Sequence, residues 1–373
     1  MKKIPNIVKK NKDVEHIMLA SCQYGYHGYG KENPDKLFAM LVTTDIHECQ
    51  KELISAIDYL NYYDAIDCGI CLGDVQARNY IETDGTWYSK PVLKSKKEFY
   101  TVLGNHDNGN STDVKISATP KMAFEKFILP TKEKIGIENL DKPYYVKLFD
   151  KYQIALIVLN NYDAPDTLDE NGNYVIRREP VVFSQEQTDW FIKTLNSIPK
   201  DYHLIIAEHS YPYSTIMEEC EWTQSRIKRD VNNPYGDNFM FADIVNAWIN
   251  GTALNVKYEP IAHQNVLSTI NVDCDFTGRG EGNFVCYIIG HHHYDSIGKC
   301  EKYPNQKIIA FASTAFDLWQ NYCTDLPRTR GTKAEDLITL FSVNTKKRQI
   351  RLVRIGSNFT IHMKERTYKL LEY

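Results

Sequence analysis

Five short clusters along the chain carry side chains of the kinds that bind metal ions or phosphate. They are Asp45-Ile46-His47, Gly73-Asp74, Gly104-Asn105-His106-Asp107, His209 and Gly290-His291-His292-His293. The donors are carboxylates, imidazoles and an amide, without a thiolate, which suits Mn²⁺, Fe or Zn²⁺ in a reactive site and not a structural zinc site. Any one of these histidines alone is more often a surface or packed residue. Only the whole set indicates a metal centre.

This donor set predicts phosphate chemistry. Two divalent ions about 3.5–4 Å apart share a carboxylate, and Asp74 is the natural bridge. Such a pair clamps a phosphate, polarises it and lowers the pKa of a bridging water, so that hydroxide can attack in line. His106 is then left as a proton donor to the leaving oxygen or as a clamp on the phosphoryl charge.

Each cluster directly follows an apolar run that is typical of a buried strand. Unbroken runs of this length suit strands that are covered on both faces, and the carboxyl ends of such strands lie along one edge of a layered sheet. We therefore expect the clusters to converge in space. The five runs are 37–44, 65–72, 98–103, 203–207 and 284–289.

Other segments complete the predicted secondary structure. Residues 48–62 have apolar side chains at helical spacing, and Ser184 with Gln187 three residues later predicts a capped helix that runs to about Leu195. Residues up to about 36 are polar and rich in Gly and Tyr, which predicts an extended lead-in. We also expect helices at 120–128 and 240–249, a hairpin of 144–148 with 153–160, and strands at 307–312, 337–342 and 349–355.

The five clusters, in this order, resemble the signature blocks of the calcineurin-like metallophosphoesterase superfamily between about residues 37 and 317. The resemblance implies an α/β (α+β) fold of the metallo-dependent phosphatase type, a four-layer αββα sandwich in which two mixed β-sheets are flanked by helices. It also implies a hydrolase with two divalent metal ions (Mn, Fe or Zn), in which a metal-bridging hydroxide attacks a phosphomonoester or phosphodiester.

The resemblance also assigns roles to individual residues. His106 would take the acid or transition-state role, and Asp107 would hold its ring as a supporting partner. The first metal would be held by Asp45, His47, Asp74 and His293. The second metal would be held by Asp74, Asn105, His209 and His291.

Departures from known subfamilies leave the substrate open. The chain lacks the tyrosine that purple acid phosphatases place three residues after the bridging Asp. It also lacks the Asp-Arg-Gly of Ser/Thr protein phosphatases, which carry Glu where this chain has Asp107. Residues 325–332, 335–336 and 354–356 resemble uncharacterised bacterial and phage-associated members more weakly. That likeness and a long inserted segment motivate an alternative, a phage-like structural or binding component without useful catalysis. The complete ligand set and His106 speak against it.

Length and composition set the remaining expectations. The 373 residues predict a single metallophosphoesterase domain with an inserted rim or cap segment at about 211–283 and a C-terminal strand extension at about 333–373. A net charge of −4 gives no general attraction to nucleic acid or anionic membranes, so a phosphate ester is the expected partner.

Nine scattered cysteines indicate a reducing compartment, and Cys68 and Cys71 are expected in the core instead of forming a redox or zinc pair. Without a usable signal peptide or an apolar span of about 18 residues, we expect a cytoplasmic protein.

A further group of residues near the clusters could contact a substrate or simply pack or carry solvated charge. We leave both alternatives open at this point. The group comprises Arg78, Asn79, Tyr211, Pro212, His292, Tyr294, Asp295, Phe316, Trp319, Arg328 and Arg330.

Overall fold

A computed structural model describes residues 3–22, 37–77, 84–108, 111–177, 181–210, 215–217 (backbone only), 234–235, 240–316, 328–359 and 367–373. Within these ranges the α-helices are α1 Asn6–Lys10, α2 Glu15–Cys22, α3 Gln50–Tyr62, α4 Thr86–Leu93, α5 Pro120–Ala123, α6 Lys132–Ile135, α7 Gln185–Ser197 and α8 Met240–Asn250. A π-helical turn, Phe124–Ile128, continues α5. The strands are β1 Phe38–Thr43, β2 Cys68–Cys71, β3 Phe99–Thr101, β4 Tyr145–Phe149, β5 Ile154–Val158, β6 His203–Ala207, β7 Thr215–Met217, β8 Ala253–Tyr258, β9 Ile270–Asp275, β10 Asn283–Ile289, β11 Ser296–Cys300, β12 Lys307–Ala310, β13 Leu337–Asn344, β14 Gln349–Gly356 and β15 Tyr368–Glu372.

Among the described residues, one mixed sheet contains six strands in the order β15-β14-β13-β1-β2-β3. β1, β2 and β3 run parallel, so their carboxyl ends lie at the same edge. β13 pairs antiparallel with the other side of β1, and β14 and β15 continue antiparallel. Every residue of β1 is buried, as expected for a central strand that is covered on both faces.

The second mixed sheet contains seven described strands in the order β4-β5-β6-β10-β12-β11-β7. Four neighbouring strands, β5, β6, β10 and β12, are parallel. β4 and β11 pair antiparallel with the two edges of this group, and β7 pairs antiparallel with β11. The predicted hairpin is confirmed, because β4 pairs with β5 through a tight turn at Asp150–Tyr152.

Side-chain alternation shows that the seven-stranded sheet is covered on both faces. In β5, Leu156 packs into the core that the two sheets share, whereas its neighbours Ala155 and Ile157 pack into a second core with α7 and α8. On the opposite side of the molecule, α2 and α3 contact β1 of the six-stranded sheet. The predicted four-layer αββα sandwich of two mixed sheets and flanking helices is therefore confirmed.

The predicted helices are also present. The Ser184 hydroxyl accepts the Gln187 amide at 3.1 Å and caps α7, as its sequence predicts. The expectation of an extended lead-in is wrong for residues 6–22, which form α1 and α2 and bury Ile7 and Met18 against the core. These helices are short, and lysines interrupt their apolar residues, so no helical period is visible. Residues 23–36 of the expected lead-in lie outside the described part of the chain.

The inserted segment contributes α8 and an antiparallel hairpin of β8 and β9. Its boundaries, and the single-domain description of the chain, stay predictions. Cys68 and Cys71 are buried and unlinked in β2, which confirms that they are core residues. None of the helices in the described ranges has the length and apolar character needed to cross a lipid bilayer.

His203, at the start of β6, should make stability depend on pH. Burial, and then the charge of Arg348, lower the pKa of its ring to about 4, whereas an unfolded histidine titrates near 6.5. Between these values the unfolded chain binds the extra proton, so this contribution to stability is complete above about pH 6.5 and is lost as the pH falls toward 4. His203→Gln should weaken the acid-induced loss of unfolding free energy, measured by urea denaturation of metal-free protein at pH 7, 5.5 and 4.5.

The matched control is His16→Gln, at an exposed histidine of α2. It should follow the wild-type pH profile. If the unfolding free energy of His203→Gln falls with pH as steeply as that of the wild type, the buried neutral ring of His203 does not cause the pH dependence of stability.

Candidate metal centre

The structure brings the predicted ligands together at the edge where the parallel strands of both sheets end. Two groups of donor atoms form there, and within each group the atoms lie within 4.8 Å of one another. Asp74 belongs to both groups, which is the arrangement expected of a bridging carboxylate. The first group is Asp45, His47, Asp74 and His293, and the second is Asp74, His209 and His291.

Individual distances show how closely the side chains converge. The Asp74 Oδ2 atom lies 3.2 Å from His209 Nε2, and Asp45 Oδ1 lies 3.2 Å from His293 Nε2. The Nε2 atoms of His47 and His293 approach each other to 3.1 Å. The predicted amide ligand, Asn105, places its Oδ1 atom 3.1 Å from Nδ1 of His291 and so joins the second group.

The backbone is in the left-handed region at many of these positions. The φ angles are 47° at Asp45, 45° at His47, 49° at Asp74, 70° at His291 and 62° at His293. Residues other than glycine adopt such angles rarely, and the strain persists only where the surroundings enforce it. The bends turn residues two apart in sequence, such as His291 and His293, toward one point, as the sequence interpretation requires.

Two glycines allow the backbone to approach the carboxylates. A Cβ atom at Gly104 would lie 2.2 Å from Asp74 Oδ1, and one at Gly290 would lie 2.7 Å from Asp45 Oδ2. Both distances are far below van der Waals contact, so only glycine fits without displacing a predicted ligand.

Three histidine rings are oriented by main-chain carbonyl groups. The Nδ1 atoms of His47, His106 and His209 lie 3.2, 2.8 and 2.6 Å from the carbonyl oxygens of Gln76, Ala77 and Leu72. A carbonyl oxygen only accepts, so Nδ1 must carry the proton in each ring. This tautomer leaves Nε2 directed at the site, with a lone pair in the neutral ring.

Burial and charge determine the protonation of the centre. Burial alone would raise the pKa of Asp45 and Asp74, but the neighbouring histidine charges outweigh it and hold both below the usual range. Burial lowers the pKa of the His209 ring, but nearby carboxylates, chiefly that of Asp74, raise it by more. The resulting pKa is about 9. For His47 burial dominates and lowers the pKa to about 3, and it lowers that of His291 strongly. The rings of His47 and His291 are therefore neutral at pH 7.

The predicted role of Asp107 is wrong in its detail. Its carboxylate is buried and accepts the backbone amides of Gln76 at 2.9 Å and Gly104 at 2.7 Å, whereas the His106 ring is held by the Ala77 carbonyl. Burial, and then the charge of Asp74, raise the pKa of Asp107 to about 7. Asp107 therefore fixes the two loops that carry Asp74 and His106 relative to each other, and it does not orient the ring.

The donors of this centre fit a metal ion. Two buried atoms, Asp45 Oδ1 and His209 Nε2, lie 3.2 Å from His293 Nε2 and Asp74 Oδ2, but neither contact has the geometry of a hydrogen bond, and the described residues offer the two atoms no other partner. Buried polar atoms are normally hydrogen-bonded. Since Nδ1 of His209 donates to Leu72, its Nε2 atom offers a lone pair in the neutral ring. A carboxylate oxygen and an imidazole lone pair are ligands for divalent transition metals.

The outcomes for the additional candidates differ. Arg328 is buried and donates to the carbonyls of Thr314, Ala315 and Glu335, and Arg330 pairs with Glu52 and stacks on Phe316. Both arginines bind groups of the protein itself, which favours a packing role over contact with a substrate. Arg78, Asn79, Tyr211, Pro212 and Trp319 lie outside the described residues.

The three candidates that follow His291 are buried. His292 does not point outward, since its ring centroid lies 4.9 Å from that of His291. Tyr294 is buried, and Asp295 forms a buried ion pair with Arg354 of β14 while also accepting the Ala312 amide at 3.1 Å. Asp295 thus ties the loop that carries His291 and His293 to the opposite sheet.

Several residues that support the centre were not predicted from the sequence. Ser313 donates to the Asp45 carbonyl at 2.8 Å, and Thr314 accepts the Thr44 amide at 3.2 Å, so the loop after β12 supports the first ligand. The position of both residues directly after a predicted strand was a usable signal. Asn161 directly follows the predicted strand 153–160 and so carried the same signal, whereas Arg354 lies inside the predicted strand 349–355 and carried none.

Part of the inserted segment lines a cavity of about 770 Å³. Tyr235 and Leu267 contribute from the insertion, and Asp163 contributes from the loop after β5. That same loop carries Asn161, whose side chain accepts the His209 amide. The loop therefore borders both the cavity and the metal centre. The expectation that the insertion shapes specificity stays a prediction.

Comparison with known proteins identifies the family. The model of the family described as calcineurin-like phosphoesterase matches residues 38–251, more than half of the chain. The protein belongs to the calcineurin-like phosphoesterase family. The matched range contains the predicted site residues from Asp45 to His209, and His291 and His293 follow it. The family assignment made from the sequence is confirmed.

Similarity of this phosphoesterase to solved structures is remote. The protein TT1561 of Thermus thermophilus is 9% identical with a TM-score of 0.41, over 86% of this chain and 99% of that chain. Purple acid phosphatase PPD1 from yellow lupin (Lupinus luteus) seeds is 11% identical with a TM-score of 0.44, over 90% of this chain and 53% of that chain. A search of curated proteins gave no match.

Gly104→Ala should weaken metal binding, because the added methyl group collides with Asp74. We expect a loss of about 1–3 kcal/mol in stability from overpacking, and a smaller rise in melting temperature on addition of Mn²⁺ than in the wild type. Gly278→Ala is the control, since nothing lies within 4 Å of that position. Equal Mn²⁺-induced shifts in both variants would contradict the steric argument.

Arg354→Met should destabilise the protein by about 3–5 kcal/mol, because it leaves the Asp295 carboxylate buried without its cation. Urea denaturation of the metal-free protein measures the loss. Lys333→Met removes an exposed partner of Asp13 and should cost less than about 1 kcal/mol. Similar costs for the two variants would show that the buried pair is no stronger than a surface pair.

Proposed function

We propose that the protein is a dinuclear metal-dependent phosphoesterase that hydrolyses a phosphomonoester or a phosphodiester. The observation that carries the proposal is the position of Asp74, whose Oδ2 atom lies 3.2 Å from His209 Nε2 and 3.9 Å from His47 Nε2. One carboxylate oxygen thus faces a ligand from each of the two donor groups. Membership of the calcineurin-like phosphoesterase family supports the same reaction class.

The ligand sets follow from the two donor groups. Asp45, His47, Asp74 and His293 would hold one ion, and Asp74, Asn105, His209 and His291 would hold the other. Two divalent cations such as Mn, Fe or Zn supply charge that polarises a phosphate ester and lowers the pKa of water. The protein contributes the fixed spacing, since carbonyl groups orient the rings of His47 and His209.

His106 is the residue we propose to assist the leaving group. The Ala77 carbonyl accepts the Nδ1 proton, so in the cationic ring Nε2, 3.8 Å from Asp74 Oδ2, is the atom that can donate a proton to a leaving group. The backbone amide of His106 also donates to Asp74 Oδ1 at 2.9 Å. The acid is therefore held directly beside the carboxylate that the two ligand sets share, where a phosphate ester would bind.

His106→Ala should keep both metal ions and lower kcat by about 10²–10⁴-fold, since it removes only a proton-transfer group. Asp74→Asn should lose metal along with activity. Protein stripped with chelator and reloaded with Mn²⁺ is assayed with p-nitrophenyl phosphate and bis(p-nitrophenyl) phosphate, and elemental analysis gives the metal content.

His16→Ala, at an exposed residue of α2, serves as the control and should match the wild type. Full activity of the stripped enzyme would refute the proposal. Two bound ions without turnover of monoesters, diesters, nucleotides or cyclic nucleotides would favour the alternative of a structural or binding component.

A further inference from the structure

His209 is held by three hydrogen bonds at the end of β6. Its ring Nδ1 atom donates to the Leu72 carbonyl at 2.6 Å, and its carbonyl accepts the Gly290 amide at 3.0 Å. Its own amide donates to the side-chain oxygen of Asn161 at 2.7 Å. The first two partners are main-chain groups, so Asn161 is the partner whose contribution a side-chain substitution removes.

Where β5 and β6 separate, the side chain of Asn161 takes the place of the backbone hydrogen bonds that pair the two strands. The last backbone bond of this pairing joins the Leu159 amide to the Ala207 carbonyl at 2.9 Å. Two residues further on, Asn161 Oδ1 accepts the amides of both His209 and Ser210, at 2.7 and 3.1 Å. The bend that turns His209 toward the centre therefore depends on a side chain and not on strand pairing.

The orientation of the Asn161 amide is fixed by the two backbone amides it faces. Because the N–H groups of His209 and Ser210 can only donate, Oδ1 must be the atom directed at them. The Nδ2 atom is then directed at Glu208 and donates to its Oε2 atom at 2.9 Å, and both residues are buried. Glu208, Asn161 and His209 thus form one connected hydrogen-bonded group behind the second ligand set.

We propose that Asn161 is a positioning residue that sets the affinity of the second metal ion, an inference that rests on the proposed function. Supporting partners of metal ligands typically account for about 10–100-fold in metal affinity. The hydrogen bonds of the Asn161 side chain, among the described residues, go to His209, Ser210 and Glu208 and not to Asp45 or His47 of the first ligand set. Loss of Asn161 should therefore weaken one ion and spare the other.

The chain offers a matched control in the adjacent residue. Asn160 is as fully buried as Asn161, and its side-chain oxygen accepts the Tyr162 amide at 3.2 Å, while its backbone bonds with Gln187 of α7. Truncating either asparagine removes buried side-chain hydrogen bonding, one bond for Asn160 and three for Asn161, so both variants should lose stability. Only Asn161→Ala also removes a bond to a residue of the centre.

The experiment compares wild type, Asn161→Ala, Asn160→Ala and the double variant Asn161→Asp/Glu208→Gln. The double variant exchanges amide and carboxylate, so an acceptor for His209 and a donor to the neighbouring side chain are both retained. Stepwise Mn²⁺ affinities are measured by competition with a chromophoric chelator, and unfolding free energies are measured on the metal-free proteins. Steady-state kcat and KM at increasing Mn²⁺ give the functional readout.

We expect Asn161→Ala to bind the second ion about 10–100-fold more weakly, with the first ion unchanged and with kcat recovered at high Mn²⁺. Asn160→Ala should bind both ions as the wild type does, and the double variant should regain most of the lost affinity. Equal Mn²⁺ affinities in the two single variants, or no recovery in the double variant, would overturn the inference and leave the proposed function intact. A wild-type protein that binds fewer than two ions would overturn both.

Discussion

Two carboxylates, Asp45 and Asp74, are buried side by side at the edge where the two sheets meet, and their charge must be balanced there. Two like charges about 4 Å apart repel by about 4 kcal/mol at an effective dielectric constant of about 20. Burial keeps the nearby rings of His47 and His291 neutral, so imidazolium charge offers only partial compensation. Bound cations would balance this charge better, and the positive-φ backbone, the glycines and the hydrogen-bonded rings place the ligand atoms where such ions would bind.

The sequence predicted the strands that carry the centre because those strands are covered on both faces, which leaves a continuous apolar run. β1, β2, β6 and β10 all have this character, and their predicted positions are confirmed. β11 was not predicted. Its sequence, Ser-Ile-Gly-Lys-Cys, has no apolar run or strict alternation, and it is a strand because β12 and β7 pair with it on both sides. Long-range pairing of this kind leaves no local signal.

In the candidate site too, features that depend on neighbouring residues were predictable from the sequence, whereas contacts between distant residues were not. The ligand types and their positions after strands were visible in the sequence, and the convergence of these residues is confirmed. The family resemblance implied that Asp107 holds the His106 ring, but the carboxylate instead accepts amides from two loops. Side-chain direction within a bent loop depends on backbone angles that a sequence does not specify. The contacts of Asn161 and Arg354 were missed for a related reason, because their partners lie far away along the chain.

The position of β13 between β14 and β1 has a consequence for biosynthesis. The partner of β1 on one side, β2, is synthesised soon after β1 itself. The partner at the other edge of β1 is β13, which includes residues 337–344, with Phe38 opposite Val343 and Val42 opposite Thr339. At about 5–20 residues per second, a nascent chain keeps that edge open for tens of seconds. An open apolar edge recruits other strands. During this interval the growing polypeptide therefore presents one edge of β1, the strand that leads to Asp45, to other strands.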